Sequence, residues 1–347
     1  MSVHWFWIFG CFVTLFGLVG NSWVIFIIAK TRRLYTTANC FILSLAIADL
    51  SVTAGYFPAS MACNVLVQSC NNSVRLNVAN LVMEASVFAL VAMVAERYLA
   101  IVYPLKYVRV MTTKKIVVII VMSWVTPAIL SVFRWMYELY YNRLSIAEDR
   151  AVIILYTLLI EIAPMILLIA FTFHILVIAR KLSIQMSTLL AQVRFNQAAN
   201  SATILNVPRI GIKASTVRLV IALVVIYVAC FGTEVYITIC QTFEVCSVSV
   251  PVLTAFSLLR MANSVLNPPV YAFLKEDIRK ETKSLFSRRK GSRIRPRLLI
   301  RARQEWWVYL IFLKELTSYS FKRILYSIQS ITQKKMLPVH RFGPKRV

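Results

Sequence analysis

"VAMVAERYLAIVYPL" (Val91–Leu105) ends an apolar stretch with an acid, a base and a tyrosine, Glu96, Arg97 and Tyr98, and then turns apolar again. An arginine at the centre of a bilayer costs about 2.5–3.5 kcal/mol on insertion scales, so it needs an acidic partner or a water-filled cavity. Glu96 is the adjacent partner. The alternative is that Arg97 only reaches its charged head out to the lipid interface. Both readings place these residues where a membrane-spanning helix ends.

Working outward, the chain of 347 residues is 59% hydrophobic, and its mean hydropathy is +0.71. That composition belongs to the membrane class. Apolar runs long enough to cross about 30 Å of hydrocarbon occur seven times, over residues 5–29, 38–62, 74–99, 115–135, 151–180, 214–240 and 249–273. They are continuous rather than alternating, which argues against barrel strands. Backbone groups in hydrocarbon have no water to bond, so each run is expected to be a helix.

Charge placement sets the expected orientation. Lys30, Arg32 and Arg33 follow the first run, Lys106, Arg109, Lys114 and Lys115 follow the third, and Arg180, Lys181, Lys213 and Arg218 flank the fifth connection. In the alternate connections Arg134, Arg143 and Arg150 are offset by Glu138, Glu148 and Asp149, and Glu244 adds another acid. The positive-inside rule then puts the N-terminus outside and the tail in the cytoplasm. The first run has no basic leader and no small-residue cleavage site, so it reads as a retained helix. The expected organisation is a short outer N-terminus (1–4), a seven-span domain (5–273), an amphipathic helix (274–286) and a basic tail (287–347).

The net charge of +25 is concentrated at the end: from Lys275 onward there are about 20 Lys or Arg against 5 acids. Beside a membrane domain, such a tail is expected to lie against anionic lipid headgroups rather than nucleic acid. Trp306–Leu313 is apolar but too short to span, and reads as an interfacial segment. The seven cysteines and three histidines form no zinc-type pattern, and no residue constellation suggests an enzyme.

Seven spans in this orientation, with Glu96-Arg97-Tyr98 closing the third, resemble the rhodopsin-like (class A) G-protein-coupled receptors. The resemblance runs over nearly the whole membrane region. Gly20-Asn21 stands in the first span, Leu45-Ala46-Ile47-Ala48-Asp49-Leu50 in the second, Trp124 in the fourth, Pro164 in the fifth and Asn267-Pro268-Pro269-Val270-Tyr271 in the seventh. Phe273–Arg279 then looks like the family's eighth helix. The implied fold is an all-α membrane protein, a seven-transmembrane helix bundle with an amphipathic eighth helix, at the plasma membrane.

The resemblance implies roles. Glu96 holds Arg97 until helix six swings out and frees it toward a heterotrimeric G protein. Tyr103-Pro104-Leu105 matches the second intracellular loop that helps dock that partner, and Tyr271 closes the helix-seven switch. Asp49, with Ser86, Asn263, Ser264 and Asn267 at matching positions, implies an allosteric sodium site of oxygen ligands; a protonated Asp49 in a dry hydrogen-bond network is the alternative. No other cofactor is implied.

Several positions depart from the family. The helix-six Cys-Trp-x-Pro reads Cys230-Phe231-Gly232-Thr233, with Gly232 as a candidate flexible point and Tyr227 one turn below. Lys213 or its neighbours replace the acid that usually holds the arginine, and Thr172 stands where a tyrosine usually receives it. Residues 134–150 hold no cysteine for the family's disulfide; Cys240–Cys246 is the expected pair, with Cys63 and Cys70 also on the outer side. Asn71-Asn72-Ser73 is a glycosylation sequon.

Ala79 stands where aminergic receptors carry an aspartate, and Met261 where opsins carry the retinal lysine. The candidate ligand pocket rests instead on Glu84, Glu161, Glu234 and Arg260. Glu234 and Arg260 are expected to neutralise each other, leaving Glu84 and Glu161 either to share a proton or to receive a small cationic ligand; helix-end positions facing water or headgroups are the alternative. Two functions from one fold stay open, a ligand-gated receptor and an atypical or decoy receptor that signals constitutively or not at all. A transporter would show repeated halves with broken helices, and neither is present.

Overall fold

The computed structural model describes residues 4–63, 70, 72–140, 145–199 and 214–287. Ten α-helices run through these residues: α1 (His4–Lys30), α2 (Thr37–Met61), α3 (Asn72–Val102), α4 (Pro104–Val110), α5 (Thr113–Tyr140), α6 (Ile146–Thr157), α7 (Ala163–Ala199), α8 (Ala214–Thr242), α9 (Val250–Leu274) and α10 (Glu276–Ser287). A π-helical turn, Leu158–Ile162, joins α6 to α7 without a break, so the two form the fifth span. Six spans among the described residues are long and apolar enough to cross a membrane. The remaining one, α9, is 25 residues long and carries Arg260, Asn263, Ser264 and Asn267. The last three are buried, so its polarity is turned into the bundle.

Local chemistry sets the helix ends. The Thr36 side chain accepts from the Asn39 N–H to cap α2, Pro104 opens α4 at its first turn, and Ser145 with Glu148 forms a reciprocal capping box that starts α6. Ser145 also holds the Glu148 carboxyl below its usual range. Two boundaries differ from the sequence reading. The fifth span continues to Ala199 rather than ending near residue 180, because residues 181–199 contain neither Gly nor Pro and are rich in helix formers. The connection between the fourth and fifth spans shrinks to residues 141–145, because both helices extend past the apolar runs.

Packing separates lipid-facing from bundle-facing surface. On α1, Phe9, Phe12 and Phe16 are more than half exposed, which hydrocarbon tolerates and water would not. Val52, Phe57, Val82, Met83 and Met261 form a buried cluster joining α2, α3 and α9, with Phe6 and Trp7 of α1 packed against it. The approach of α1 is close. A Cβ at Gly17 would collide with the Thr53 methyl and stand 3.0 Å from Val265. A Cβ at Gly20 would stand 2.9 Å from Pro268.

Helix α10 docks at the Arg97 end. Ile278 is buried, Glu281 pairs with Arg33 at 3.3 Å, and Asp277 accepts from Asn39 Nδ2 and pairs with Lys275, both at 3.2 Å. Burial pushes the Asp277 carboxyl up, but the Lys275 ammonium, the Asn39 amide and the Ile278 N–H outweigh it and hold it below its ordinary range. Burial draws Lys275 down while Asp277 opposes the shift, so the pair is worth less than the aspartate alone indicates.

Gly17→Val is expected to cost about 1–3 kcal/mol through overpacking, read as a lower unfolding midpoint in lipid nanodiscs. Gly55→Ala, where a Cβ meets nothing within 4 Å, leaves the midpoint unchanged or raises it. A lowered carboxyl stabilises above its ordinary range and stops doing so as pH falls through the lowered value. Amide-exchange protection of α10, corrected for intrinsic rate, is therefore expected to fall on acidification in the wild type, and Asp277→Asn flattens that component.

Candidate functional site

At one end of the bundle Glu96 and Arg97 form a two-pronged pair, with Arg97 Nε to Glu96 Oε2 at 2.5 Å and Nη2 to Oε1 at 2.6 Å. Glu96 has no exposed side-chain surface and Arg97 is only 18% exposed, so solvent screens the pair poorly. A third group completes it: the Tyr107 hydroxyl donates to Glu96 Oε1 at 2.5 Å. Burial first, then the Glu96 carboxylate, pushes the Tyr107 hydroxyl up to about 12, so it stays a donor at any physiological pH. Pro104 supplies the geometry, since the helix it opens returns Tyr107 toward α3 one turn later.

Beside this pair lies a cavity of 390 Å³ whose lining includes Thr36, Arg97, Tyr107, Ser215, Leu219 and Lys275. The described α8 residues lining it, Ser215, Thr216 and Leu219, include no acid, and Lys213 lies outside the described residues. Tyr98 points elsewhere: it stacks on Phe171 at 4.6 Å and shares a 3.0 Å hydrogen bond with His174 Nδ1. Thr172 Oγ1, between those two partners in sequence, is buried with no hydrogen-bond partner.

Deeper in the bundle Asp49 is fully buried. Ser86 Oγ donates to its Oδ1 at 2.6 Å and Asn267 Nδ2 to its Oδ2 at 2.7 Å. The Oδ1 atoms of Asn263 and Asn267 and the Tyr271 hydroxyl are buried without partners. Asn263 lies one turn from Asn267 on the same face. Two carboxylate oxygens, a hydroxyl and unclaimed amide oxygens are the donor set a hard monovalent cation takes. Asn21 Nδ2 bonds the Gly17 and Ser264 carbonyls, both at 3.0 Å, and Trp124 Nε1 bonds Ser44 Oγ at 3.1 Å. These bonds tie α1 to α9 and α5 to α2.

On helix six, Cys230 and Phe231 are both buried, and Phe231 packs on Tyr227 with ring centroids 4.9 Å apart. Helix α8 runs unbroken through Gly232.

At the opposite end Arg260 Nη1 pairs with Glu234 Oε1 at 2.6 Å, and its guanidinium lies 5.9 Å from the Phe231 ring centre. Glu84 Oε1 accepts a short hydrogen bond from the Tyr156 hydroxyl, and Arg134 lies over the Tyr156 ring at 5.6 Å. Glu161 sits in the π-helical turn, and its Oε2 is buried with no partner. Two disulfides mark this end. Cys240 and Cys246 are bonded across the α8–α9 connection, and Cys63 is bonded to Cys70 between α2 and α3. Asn71 lies outside the described residues, as does the tail from 288.

Sequence reasoning gave no site role to Tyr107, Tyr156, Arg134 or His174, and placed Cys63 and Cys70 on the outer side without pairing them. Only that pair had a readable signal, seven residues of separation between two helix ends. The others are aromatic or basic residues whose partners lie on other helices.

Residues 20–271 match the family model described as 7 transmembrane receptor (rhodopsin family). The alpha-1A adrenergic receptor of Oryzias latipes is 31% identical over 137 residues, 37% of this chain and 28% of that protein. Neuropeptide FF receptor 1 of Homo sapiens is 34% identical over 116 residues, 32% of this chain and 26% of that protein. Neuropeptide FF receptor 2 of Mus musculus is 37% identical over 111 residues, 31% and 26% of the two chains. The chain thus spans about a quarter of the length of the curated relatives it matches. With the family model covering most of the sequence and six apolar spans plus α9 beneath it, the chain belongs to the rhodopsin family of seven-transmembrane receptors, multi-pass membrane proteins that are not enzymes.

Proposed function

We propose that this chain is a plasma-membrane receptor with its N-terminus outside, which binds an extracellular ligand within the bundle and activates a heterotrimeric G protein at the Arg97 end. The observation that carries the reading is the Glu96–Arg97–Tyr107 cluster at the mouth of a 390 Å³ cavity. Arg97 has two states available, bonded to Glu96 or turned into the cavity, and a bound partner stabilises the second by differential contacts. In the first state Tyr107 takes one Glu96 oxygen and leaves the carboxylate fixed for the guanidinium. The basic connections and α10 then face the cytoplasm and its anionic headgroups.

Sodium fits the Asp49 centre as an allosteric ligand. Asp49, Ser86, Asn263 and Asn267 would hold it, and its charge would hold the Asp49 carboxylate ionised and fix α2, α3 and α9 against one another. The ion stabilises whichever helix arrangement keeps those oxygens converged.

A second reading, constitutive or absent signalling, is favoured by one observation: the α8 residues at the cavity offer Arg97 no acid. The two readings separate on basal activity.

Basal nucleotide exchange in cells matched for surface expression is expected to vanish in Arg97→Ala and to rise in Tyr107→Phe. The lost hydrogen bond to a charged group is worth about 1.5–3 kcal/mol, a shift of about tenfold or more in the free-arginine population. Exchange that is equal in all three proteins would refute coupling through Arg97. Sodium at about 100 times its dissociation constant adds about 2.7 kcal/mol of stability. The wild type in nanodiscs is expected to show that rise over potassium, and Asp49→Asn to lose it.

A further inference from the structure

The disulfide end of the bundle holds a set of charges that does not close on itself. Four ionisable side chains act on Glu161 of the π-helical turn: Glu84 on α3, Arg134 on α5, Glu234 on α8 and Arg260 on α9. With Glu161 the set holds three carboxyl groups and two guanidinium groups, one cation fewer than would pair every carboxyl. Each cation has a partner, although Arg260 Nε is itself buried without one. Arg260 is bonded to Glu234, and Arg134 lies over the Tyr156 ring, whose hydroxyl serves Glu84.

The shortfall falls on identifiable atoms. Glu84 is only 8% exposed; Tyr156 satisfies its Oε1, and its Oε2 is buried with no partner. Glu161 Oε2, in the π-helical turn, is likewise buried and bare. Close by, Tyr227 and Phe231 form an aromatic pair, and the Tyr227 hydroxyl, near Glu161, is another buried polar atom without a partner. A buried carboxyl oxygen without a hydrogen-bond partner is costly to keep. Carboxylates beside aromatic faces are the surroundings that stabilise an organic cation.

Resting on the receptor reading above, we propose that the ligand presents a single organic cation, an ammonium or guanidinium group, to the bare oxygens of Glu84 and Glu161, with Tyr227 and Phe231 against its apolar body. Glu161 is the specificity-determining residue, because Glu84 keeps a partner in the free protein.

The test uses the full chain in nanodiscs at neutral pH, with phenethylammonium and benzylguanidinium as probes and neutral 2-phenylethanol as the control. The cations are expected to raise the unfolding midpoint and the alcohol to leave it unchanged. Glu161→Gln removes a carboxyl whose buried oxygen has no partner, so the ligand-free variant should melt at the same temperature or higher while cation affinity falls by about tenfold or more. That opposite pair of signs separates a binding role from a structural one. Glu84→Gln provides the second variant should the first fail to fold, and is expected to weaken cation binding as well. Equal effects of alcohol and cations, no effect of either, or full cation binding in Glu161→Gln would overturn the proposal. So would a Glu161-dependent midpoint that moves with pH and not with the cations, which would make the ligand a proton. Because binding is read without a G protein, a failure here leaves the Arg97 measurements standing, and loss of coupling would leave this site standing.

Discussion

Every backbone N–H and C=O within a bilayer must find its partner inside the protein, and the described spans meet most of that demand within each helix; the Ser264 carbonyl, freed by Pro268, is served from α1 instead. The hydrogen bonds that remain to join helices come from side chains, and few residues supply them. Asn21 reaches the Ser264 carbonyl, Asp49 gathers Ser86 and Asn267, and Trp124 reaches Ser44. Around these polar ties the apolar surface is nearly indifferent, since lipid chains and leucine side chains offer each other similar company. The arrangement of the seven spans is therefore specified by a handful of buried polar groups and by the close approach of α1 at Gly17 and Gly20.

The same economy explains why so much was legible in the sequence. Residues expensive to place in hydrocarbon stand out against an apolar background, so Asp49, Glu96, Arg97, Glu161 and Arg260 could be singled out before any coordinates. The spans were legible for the same reason, to within a few residues at most ends. Where the helix continued into water, composition gave no contrast; residues 181–199 read as a connection because they are polar, although nothing in them breaks a helix.

Partners were less legible than sites. Glu84 and Glu161 look alike in sequence, yet one is served by Tyr156 and the other is bare. That difference rests on α6 passing beside α3 and on a single π-helical turn, and no periodicity in Leu158–Ile162 announces the turn. Tyr107 is a similar case: its partnership with Glu96 depends on the direction in which a seven-residue helix returns. A residue's cost can be read from its neighbours in sequence, whereas who offsets that cost is a property of the packed bundle.

The length of α7 has a mechanical consequence. Between Arg180 and Ala199 it continues as one helix, about 28 Å at 1.5 Å per residue. A rod of that length converts angle into distance: a tilt of about 5° at its base moves the tip by roughly 2.5 Å. Rearrangements too small to see among the packed side chains of the bundle thus become displacements of atomic size at the far end of α7.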